Sequence, residues 1–296
     1  MKTICLILSV LVSFVLMSCE QPVYEQVVTQ TQGESENNVT VKVVDFLQTD
    51  FSGNPMMSEN CLPTRAVQPI RDLCSRISFV VFSGDEKVKK IDQKSDDANF
   101  GSASFSLPVG DYRLVVLAHN CNGTATVTSL EKITFPSNKL TDTFLYSQDI
   151  TIVEGNNTVE VVMERVVSMF RLTITDEIPS NAASLLFYYT GGSSTLSALT
   201  GFGSVNSRQQ ETREIVPGQR SYEVYTIPHE QEDMLSMTIT AYDADNNEIK
   251  SMVFMEIPVS PRVITEYSGA FFTPDSRLDF TPKAEKNWDD VLVFNF

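Results

Sequence analysis

The segment ASFSLPVGDYRLVVLAHN (103–120) contains two apolar stretches separated by a tight turn. ASFSL (103–107) alternates apolar and small polar residues, and YRLVVLAHN (112–120) is rich in the branched and aromatic residues typical of strands. Between them, LPVGDY (107–112) supplies the Pro and Gly that reverse a chain within a few residues. The segment therefore predicts two antiparallel strands joined by a short turn.

The same pattern continues along most of the chain. Short alternating stretches are separated by Gly, Pro, Asn and Asp, with hardly a window of helical periodicity, which indicates antiparallel β-sandwiches. A second clear turn, DADNNE (243–248), joins two of these stretches. The other candidate strands are 39–46, 77–82, 142–152, 158–164, 166–175, 184–190, 221–227, 234–243, 249–257, 262–272 and 291–296.

The strands divide into two sets near residues 164–166, where one candidate strand ends and the next begins at once. The chain has 296 residues, more than one typical domain needs. We therefore predict an all-β protein with two tandem antiparallel β-sandwich domains, residues 39–164 and 165–296, with little room for a flexible linker.

The N-terminus predicts export. Lys2 precedes an uncharged apolar run at residues 4–17 (ICLILSVLVSFVLM), which has the composition of a signal peptide. As a helix this run would measure about 21 Å, short of the roughly 30 Å hydrocarbon core of a bilayer. We expect residues 1–18 to be removed.

The cleavage point resembles the lipobox of bacterial lipoproteins. LMSC (16–19) ends in a Cys that would be acylated and become the new N-terminus, so Cys19 is the predicted lipid attachment site. The alternative is an ordinary secretory peptide with an incidental Cys. Residues 19–38 are polar after Cys19 and predict a lipidated tether.

Charge and cysteine content exclude several classes of function. The formal net charge is −16, which argues against nucleic acid as a partner. Cys61 and Cys74 lie close in sequence and form a candidate disulfide in an oxidising exterior, which would leave Cys121 as a buried free thiol. No C-x-x-C or Cys/His cluster occurs, so we predict neither a metal nor a cofactor.

Catalysis is not predicted either. The chain has two histidines: His119 ends an apolar strand and indicates a core histidine, whereas His229 follows Pro228 in a loop and should be exposed. No G-x-S-x-G motif occurs, and the 243–248 turn lacks the Gly of a calcium loop. The long connection at residues 191–211 is the best candidate for a surface that contacts another protein.

Several segments together resemble one family. The lipobox, the tether, LPVGDYRLVV (107–116), RVVSMFRL (165–172) and YSGAFF (267–272) resemble the fimbrillin and fimbrial-anchor lipoproteins of Bacteroidia. The resemblance implies tandem transthyretin-like, Greek-key sandwiches in an outer-membrane lipoprotein. It further implies a structural, anchor or tip subunit of an adhesive fimbria, whose partners are other fimbrial subunits, the membrane and a host or bacterial surface ligand.

The resemblance also implies a mode of assembly. In polymerising members, cleavage after an Arg in the loop behind the first strand removes that strand, and a neighbour's strand fills the groove. Arg65 occupies this location and is the candidate processing site, with Arg71 and Arg76 as competing choices in the same loop. The sequence leaves the anchor, shaft and tip roles open.

Two rival classes remain beside this interpretation: a surface carbohydrate-binding lipoprotein, and a surface hydrolase, for which the sequence supplies no catalytic constellation. A surface carbohydrate-binding lipoprotein would also be secreted, acidic and all-β, but it needs exposed aromatic platforms and the chain has one tryptophan, Trp288. The last strand, VLVFNF (291–296), either completes the second sandwich, which we expect, or is donated to a neighbouring subunit.

Overall fold

The computed structural model describes residues 37–47, 69–273, 279–280 and 290–295. Nearly all of its regular structure is β-strand, which confirms the all-β prediction. The described first half contains one short α-helix, one 3₁₀ helix at Pro136–Asn138, and nine strands: β1 Asn37–Leu47, α1 Ile70–Leu73, β2 Arg76–Ser83, β3 Glu86–Lys94, β4 Ser102–Leu107, β5 Gly110–His119, β6 Thr126–Ser129, β7 Lys132–Thr134, β8 Thr143–Ile152 and β9 Asn157–Arg165.

The second half contains ten further strands in the described ranges. Two residues, Val166 and Val167, lie between the end of β9 and the start of the next strand, so there is no room for a flexible linker between the two halves. The strands of the second half are β10 Ser168–Ile174, β11 Ala182–Thr190, β12 Thr195–Leu196, β13 Gln209–Glu214, β14 Ser221–Thr226, β15 Asp233–Asp243, β16 Glu248–Val259, β17 Val263–Gly269, β18 Asp279–Phe280 and β19 Asp290–Asn295.

The first half is a sandwich made from one folded sheet. Its strand order is β3-β2-β5-β8-β9-β1-β4, and β8 contacts β9 at two positions only. The sheet folds at this corner, so that β1 and β9 face β2 and β5 across a common core. That core includes Val41, Phe79, Val116 and Met163, all fully buried.

The second half is a sandwich of two separate sheets. One has the order β14-β10-β17-β19-β18 and the other β13-β11-β15-β16. Large aromatic side chains fill the space between them, including Phe170, Phe187 and Tyr189, each at most 1% exposed. Alternation along each strand sends these side chains inward and the polar residues outward.

A third apolar cluster lies between the halves. Val80 and Val115, on the outer face of the first sandwich, belong to the same buried cluster as Val167 and Ile264 of the second. The small sheet β12-β7-β6 also draws its strands from both halves. The two sandwiches therefore share a buried contact, and their division into separately folding domains at residues 164/165 stays a prediction.

The C-terminal strand lies inside this chain's own sheet. β19 pairs in parallel with β17, and Val291 and Val293 are at most 2% exposed. This arrangement agrees with the expectation that the strand completes the second sandwich.

Candidate assembly surface

The position of β1 is the first feature relevant to assembly. β1 pairs antiparallel with β4 on one side and parallel with β9 on the other. Val39 and Val41 are fully buried, and the ring of Phe46 meets that of Phe144 edge-on with centroids 4.8 Å apart. β1 therefore fills an apolar slot between two strands, and its removal would expose two unpaired edges.

Three residues predicted to act at this end of the chain lie outside the described residues: Cys19, Cys61 and Arg65. Lipid attachment, the Cys61–Cys74 disulfide and processing at Arg65 therefore stay predictions. The competing arginines are described. Arg71 lies in α1, where its guanidinium contacts the Phe100 ring at 5.3 Å, and Arg76 is the first residue of β2.

The two described cysteines are buried thiols. Cys74, at the end of α1, is 1% exposed, and burial together with the negative charge of Asp142 raises its pKa to about 12. Cys121 is 4% exposed, and its Sγ lies 3.1 Å from the carbonyl oxygen of Lys139. Burial raises the pKa of Cys121, so neither thiol has the character of a nucleophile.

His119 is a core histidine, as predicted. It is fully buried, and its Nδ1 accepts a hydrogen bond from the backbone amide of Cys121 at 3.1 Å. Its Nε2 is buried without a hydrogen-bond partner among the described residues. Burial lowers the pKa of His119 to about 4, with the charge of Arg76 acting in the same direction and Asp92 opposing it.

His229 differs from the expectation of an exposed loop side chain. Its Nδ1 lies 2.9 Å from the Asp233 carboxylate and its Nε2 lies 3.2 Å from the carbonyl oxygen of Val205. The side chain is 26% exposed. The reason is local: the loop from His229 to Asp233 is closed by a hydrogen bond from the His229 amide to the same carboxylate, which holds the ring against the protein.

The connection at residues 191–211 was expected to contact another protein; its first part is buried within this chain, and for the remainder the expectation stays a prediction. Residues 192–198 are buried. β12 pairs with β7 of the first half, Thr195 opposite Thr134 and Leu196 opposite Ile133. Residues 192–198 therefore connect the two halves. Leu199 and Val205 are the exposed large apolar residues of the connection.

A buried ion pair lies at the end of the first half. Arg165, which is 3% exposed, contacts the Asp142 carboxylate at two points, 2.6 and 2.8 Å. Its guanidinium also lies over the Phe144 ring, 4.8 Å from the centroid. This contact fixes the corner at which β8 and β9 meet.

Neither a metal site nor a membrane-spanning helix is present in the described part of the chain. No group of three or more His, Cys, Asp or Glu side chains there could hold a metal ion. No helix in the same ranges is long and apolar enough to cross a bilayer.

Comparison with protein families shows which family the chain belongs to. The sequence profile of the fimbrillin-A associated anchor proteins Mfa1 and Mfa2 matches residues 33–283. The chain belongs to this family. The Mfa1/Mfa2 anchor family consists of structural proteins of the fimbria, so the chain is a fimbrial or adhesin-like subunit at the cell surface that associates with other fimbrial subunits.

Comparison with solved structures gave several matches at low sequence identity. The fimbrial anchor protein Mfa2 from Porphyromonas gingivalis is 9% identical with a TM-score of 0.40, over 73% of this chain and 82% of that one. A candidate adhesin from Bacteroides ovatus is 12% identical with a TM-score of 0.46, over 82% and 88%. A candidate polysaccharide-binding protein from Bacteroides thetaiotaomicron is 12% identical with a TM-score of 0.43, over 73% and 80%. The comparison with curated protein sequences gave no match.

Proposed function

We propose that this chain is an outer-membrane lipoprotein that serves as a structural, anchor or tip subunit of an adhesive fimbria and assembles by β-strand addition. The observation that carries the proposal is the place of β1. The strand that directly follows the predicted tether is buried between β4 and β9, so a single strand links the membrane attachment to the core of the first sandwich.

The anchor role follows most directly from the order of sites along the chain. Cys19 precedes Arg65, so cleavage after Arg65 would release the lipidated segment together with β1. A subunit cut at Arg65 therefore loses its lipid and β1, whereas an anchor has to keep both the lipid and β1. The family is described by its anchor proteins, which supports an uncut, lipid-bearing chain.

Lipid attachment is tested with the Cys19→Ala variant. We expect wild-type cells to incorporate labelled palmitate into this protein and to retain it in the outer-membrane fraction, because acyl chains are its proposed membrane attachment. Cys19→Ala should lose the label and leave the membrane. Cys61→Ala is the matched control and should behave as wild type; equal labelling of Cys19→Ala and wild type would refute lipidation at this site.

The processing state is tested on fimbriae isolated from cells. Intact mass and N-terminal sequencing should find the acylated chain beginning at Cys19. A surface chain that begins at Ala66, and that disappears in Arg65→Ala, would contradict the anchor role and favour a polymerising subunit.

The carbohydrate-binding alternative gains no specific support. Sugar sites on β-sandwiches need exposed aromatic faces, and among the aromatic side chains whose exposure the structure describes Tyr188 alone is more than a third exposed, at 41%. Its neighbours across the sheet are Gln210 and Thr238, not a second ring.

A further inference from the structure

β8 and β9 are neighbours at one end only. β8 pairs with β5 along its whole length, and β9 pairs with β1 from Asn157 to Glu164. Within the described residues they pair with each other at two positions, Phe144 with Arg165 and Leu145 with Glu164. Beyond this corner the strands diverge, so residues 146–152 and 157–163 each have one side without a strand partner.

These two free edges lack two devices that often protect an edge strand, a bulge and a proline. The β5–β8 pairing has no register shift, and the bulge in the β1–β9 pairing lies in β1, between Val43 and Asp45. Neither free edge contains a proline. Regular, unbroken edges are those that accept another strand, because alternate residues direct their amide and carbonyl groups outward.

Two other edge strands of the described chain, β16 and β3, are protected. β16 shifts register twice against β15 and contains Pro258. β3 contains a bulge, and its Lys87 and Lys90 ammonium groups donate to carbonyl oxygens of the segment around β6. These features prevent a continuous ladder with an incoming strand, and the free edges of β8 and β9 have neither a bulge nor a proline.

A cavity of about 180 Å³ lies where β8 and β9 separate. Leu145 to Gln148 form one wall, Val162 and Glu164 the other, and residues 198–201 of the second half cover it. Val162 and Leu199 at its mouth are 38% and 48% exposed. The cavity thus combines two exposed apolar side chains with a mainly polar lining beside the main chain of both strands.

The Ser147 side chain is a second, independent feature of this site. Its Oγ is buried and has no hydrogen-bond partner in the described part of the chain, which is uncommon for a buried hydroxyl. The carbonyl oxygen of Ser147 accepts a hydrogen bond from the Arg113 guanidinium at 3.1 Å. An incoming backbone amide could replace Arg113 there, and its neighbouring groups could pair with the hydroxyl.

We infer that the β8–β9 notch, defined by residues 145–152, 157–164 and 198–201, receives an extended strand from a neighbouring fimbrial subunit. The inference rests on the proposed assembly by strand addition and places it at a site other than β1. In an uncut chain β1 fills its own slot, so a second strand needs an edge that is already open. The seven unpaired residues of β8 match the length of an ordinary strand.

The test uses the full-length, lipidated protein in cells that produce fimbriae. A photo-cross-linking amino acid replaces Gln148 or Asp149 in the notch, and Val109 or Val153, exposed turn residues outside it, as controls. We expect cross-links to a fimbrial subunit from positions 148 and 149 to be at least five-fold stronger than from the controls. Both should map to one segment of the partner shorter than about ten residues, as strand pairing requires.

A blocking variant checks that the cavity itself is used. Ser147→Phe should fill the cavity and reduce the cross-link from position 149 about ten-fold, while Val109→Phe leaves it unchanged. If Ser147→Phe does not fold, Leu199→Glu at the exposed mouth serves the same purpose.

The outcomes separate this inference from the proposed function. If the protein co-purifies with fimbriae but positions 148 and 149 cross-link no better than the controls, the notch is not the docking site. Cross-links scattered over a folded surface of the partner would also overturn a strand-docking mode. If the protein is absent from fimbriae altogether, the proposed function itself fails.

Discussion

Arg165 and Asp142 form a two-point ion pair across the corner of the first sandwich. The Arg165 Nε and Nη2 atoms lie 2.6 and 2.8 Å from the two carboxylate oxygens of Asp142. The pair joins the last residue of β9 to the residue just before β8, immediately ahead of the connection into the second half.

Replacing Arg165 by Met should destabilise the protein by about 2–3 kcal/mol, because Asp142 would lose its partner in a largely buried site. Urea unfolding at neutral pH measures the change. Asp149→Asn is the control: its partner Arg113 lies 2.9 Å away, but the Asp149 side chain is 79% exposed, so the loss should stay below about 1 kcal/mol. Equal losses in the two variants would contradict the structural role of Arg165.

His119 should make the protein less stable in mild acid. The folded pKa of about 4 lies below the ordinary value of 6.5, so between these values the unfolded chain binds a proton that the folded chain does not. Stability is therefore lost as the pH falls below 6.5. Relative to pH 7.5, His119 should cost roughly 2 kcal/mol at pH 5.

The contribution of His119 is isolated by comparison with His119→Asn, which keeps a hydrogen-bond acceptor for the Cys121 amide. Other groups titrate in both proteins, so the difference between their unfolding free energies at the two pH values is the measurement. An identical pH dependence in both would show that His119 is not the group responsible.

Asp176 ties the end of β10 to the segment after β17. Its carboxylate accepts hydrogen bonds of 2.7–3.0 Å from the amides of Phe271, Phe272 and Thr273 and from the Thr273 hydroxyl. Burial raises the pKa of Asp176, but these hydrogen bonds outweigh it and lower the pKa below its usual value. The stabilisation is present above the unfolded pKa and is lost as the pH falls through the folded pKa.

Asp176→Ala should therefore cost about 2 kcal/mol at neutral pH and less in acid. Chemical unfolding at pH 7 and pH 3 gives both values. The neighbouring Glu177→Ala removes an exposed carboxylate and should change stability by under about 0.5 kcal/mol. A loss for Asp176→Ala that does not shrink at pH 3 would argue against the role of its charge.

Gly192→Ala should destabilise residues 192–198, the segment that connects the two halves. A Cβ at this position would lie 1.9 Å from the Thr226 Oγ1 and 3.1 Å from Leu235 Cδ2. We expect a loss of about 3 kcal/mol, seen as a lower thermal midpoint. Thr226→Ala alone should cost little, because its buried hydroxyl has no partner in the described residues, and the double variant should recover part of the loss. Simple additivity of the two changes would refute the steric explanation.

Deleting residues 291–296 should make the chain insoluble or protease-sensitive. Val291 and Val293 are buried and β19 pairs with β17, so the deletion removes about 4 kcal/mol of apolar burial and exposes an edge. Removing Phe296 alone leaves β19 intact and serves as the control. A six-residue truncation that stays soluble and equally stable would mean that the strand is not needed within its own chain.

Alternation and turn chemistry were sufficient for the strands of the core. The turn at residues 107–112 and the Asn/Asp turn at residues 243–248 occur where predicted, and the Asp243 carboxylate accepts the amides of Asp245 and Asn247. Short-range hydrogen bonds of this kind depend on neighbours in the sequence. They are therefore visible before the fold is known.

Edge strands were missed for a physical reason. β3, EKVKKIDQK, and β13, QQETRE, contain charges and amides where a core strand has apolar residues. An edge strand needs little burial and is protected by charge, so its sequence is similar to that of a loop. β6 and β7 were missed because each is short, although they pair with each other locally, and β12 was missed because its two residues pair with the distant β7.

The sequence alone determined the all-β class, most core strands, the buried character of His119 and the resemblance to fimbrial lipoproteins. Each of these depends on a local pattern or a short motif. The tertiary structure alone decided that residues 192–198 connect the two halves, that His229 is held between Asp233 and Val205, and that β8 and β9 separate after two residue pairs. These features depend on which segments meet, such as β12 with β7 about 60 residues earlier or His229 with Val205, or on how two edges diverge. No local pattern encodes such a meeting, since the free energy that determines it comes from burial between elements remote in the chain.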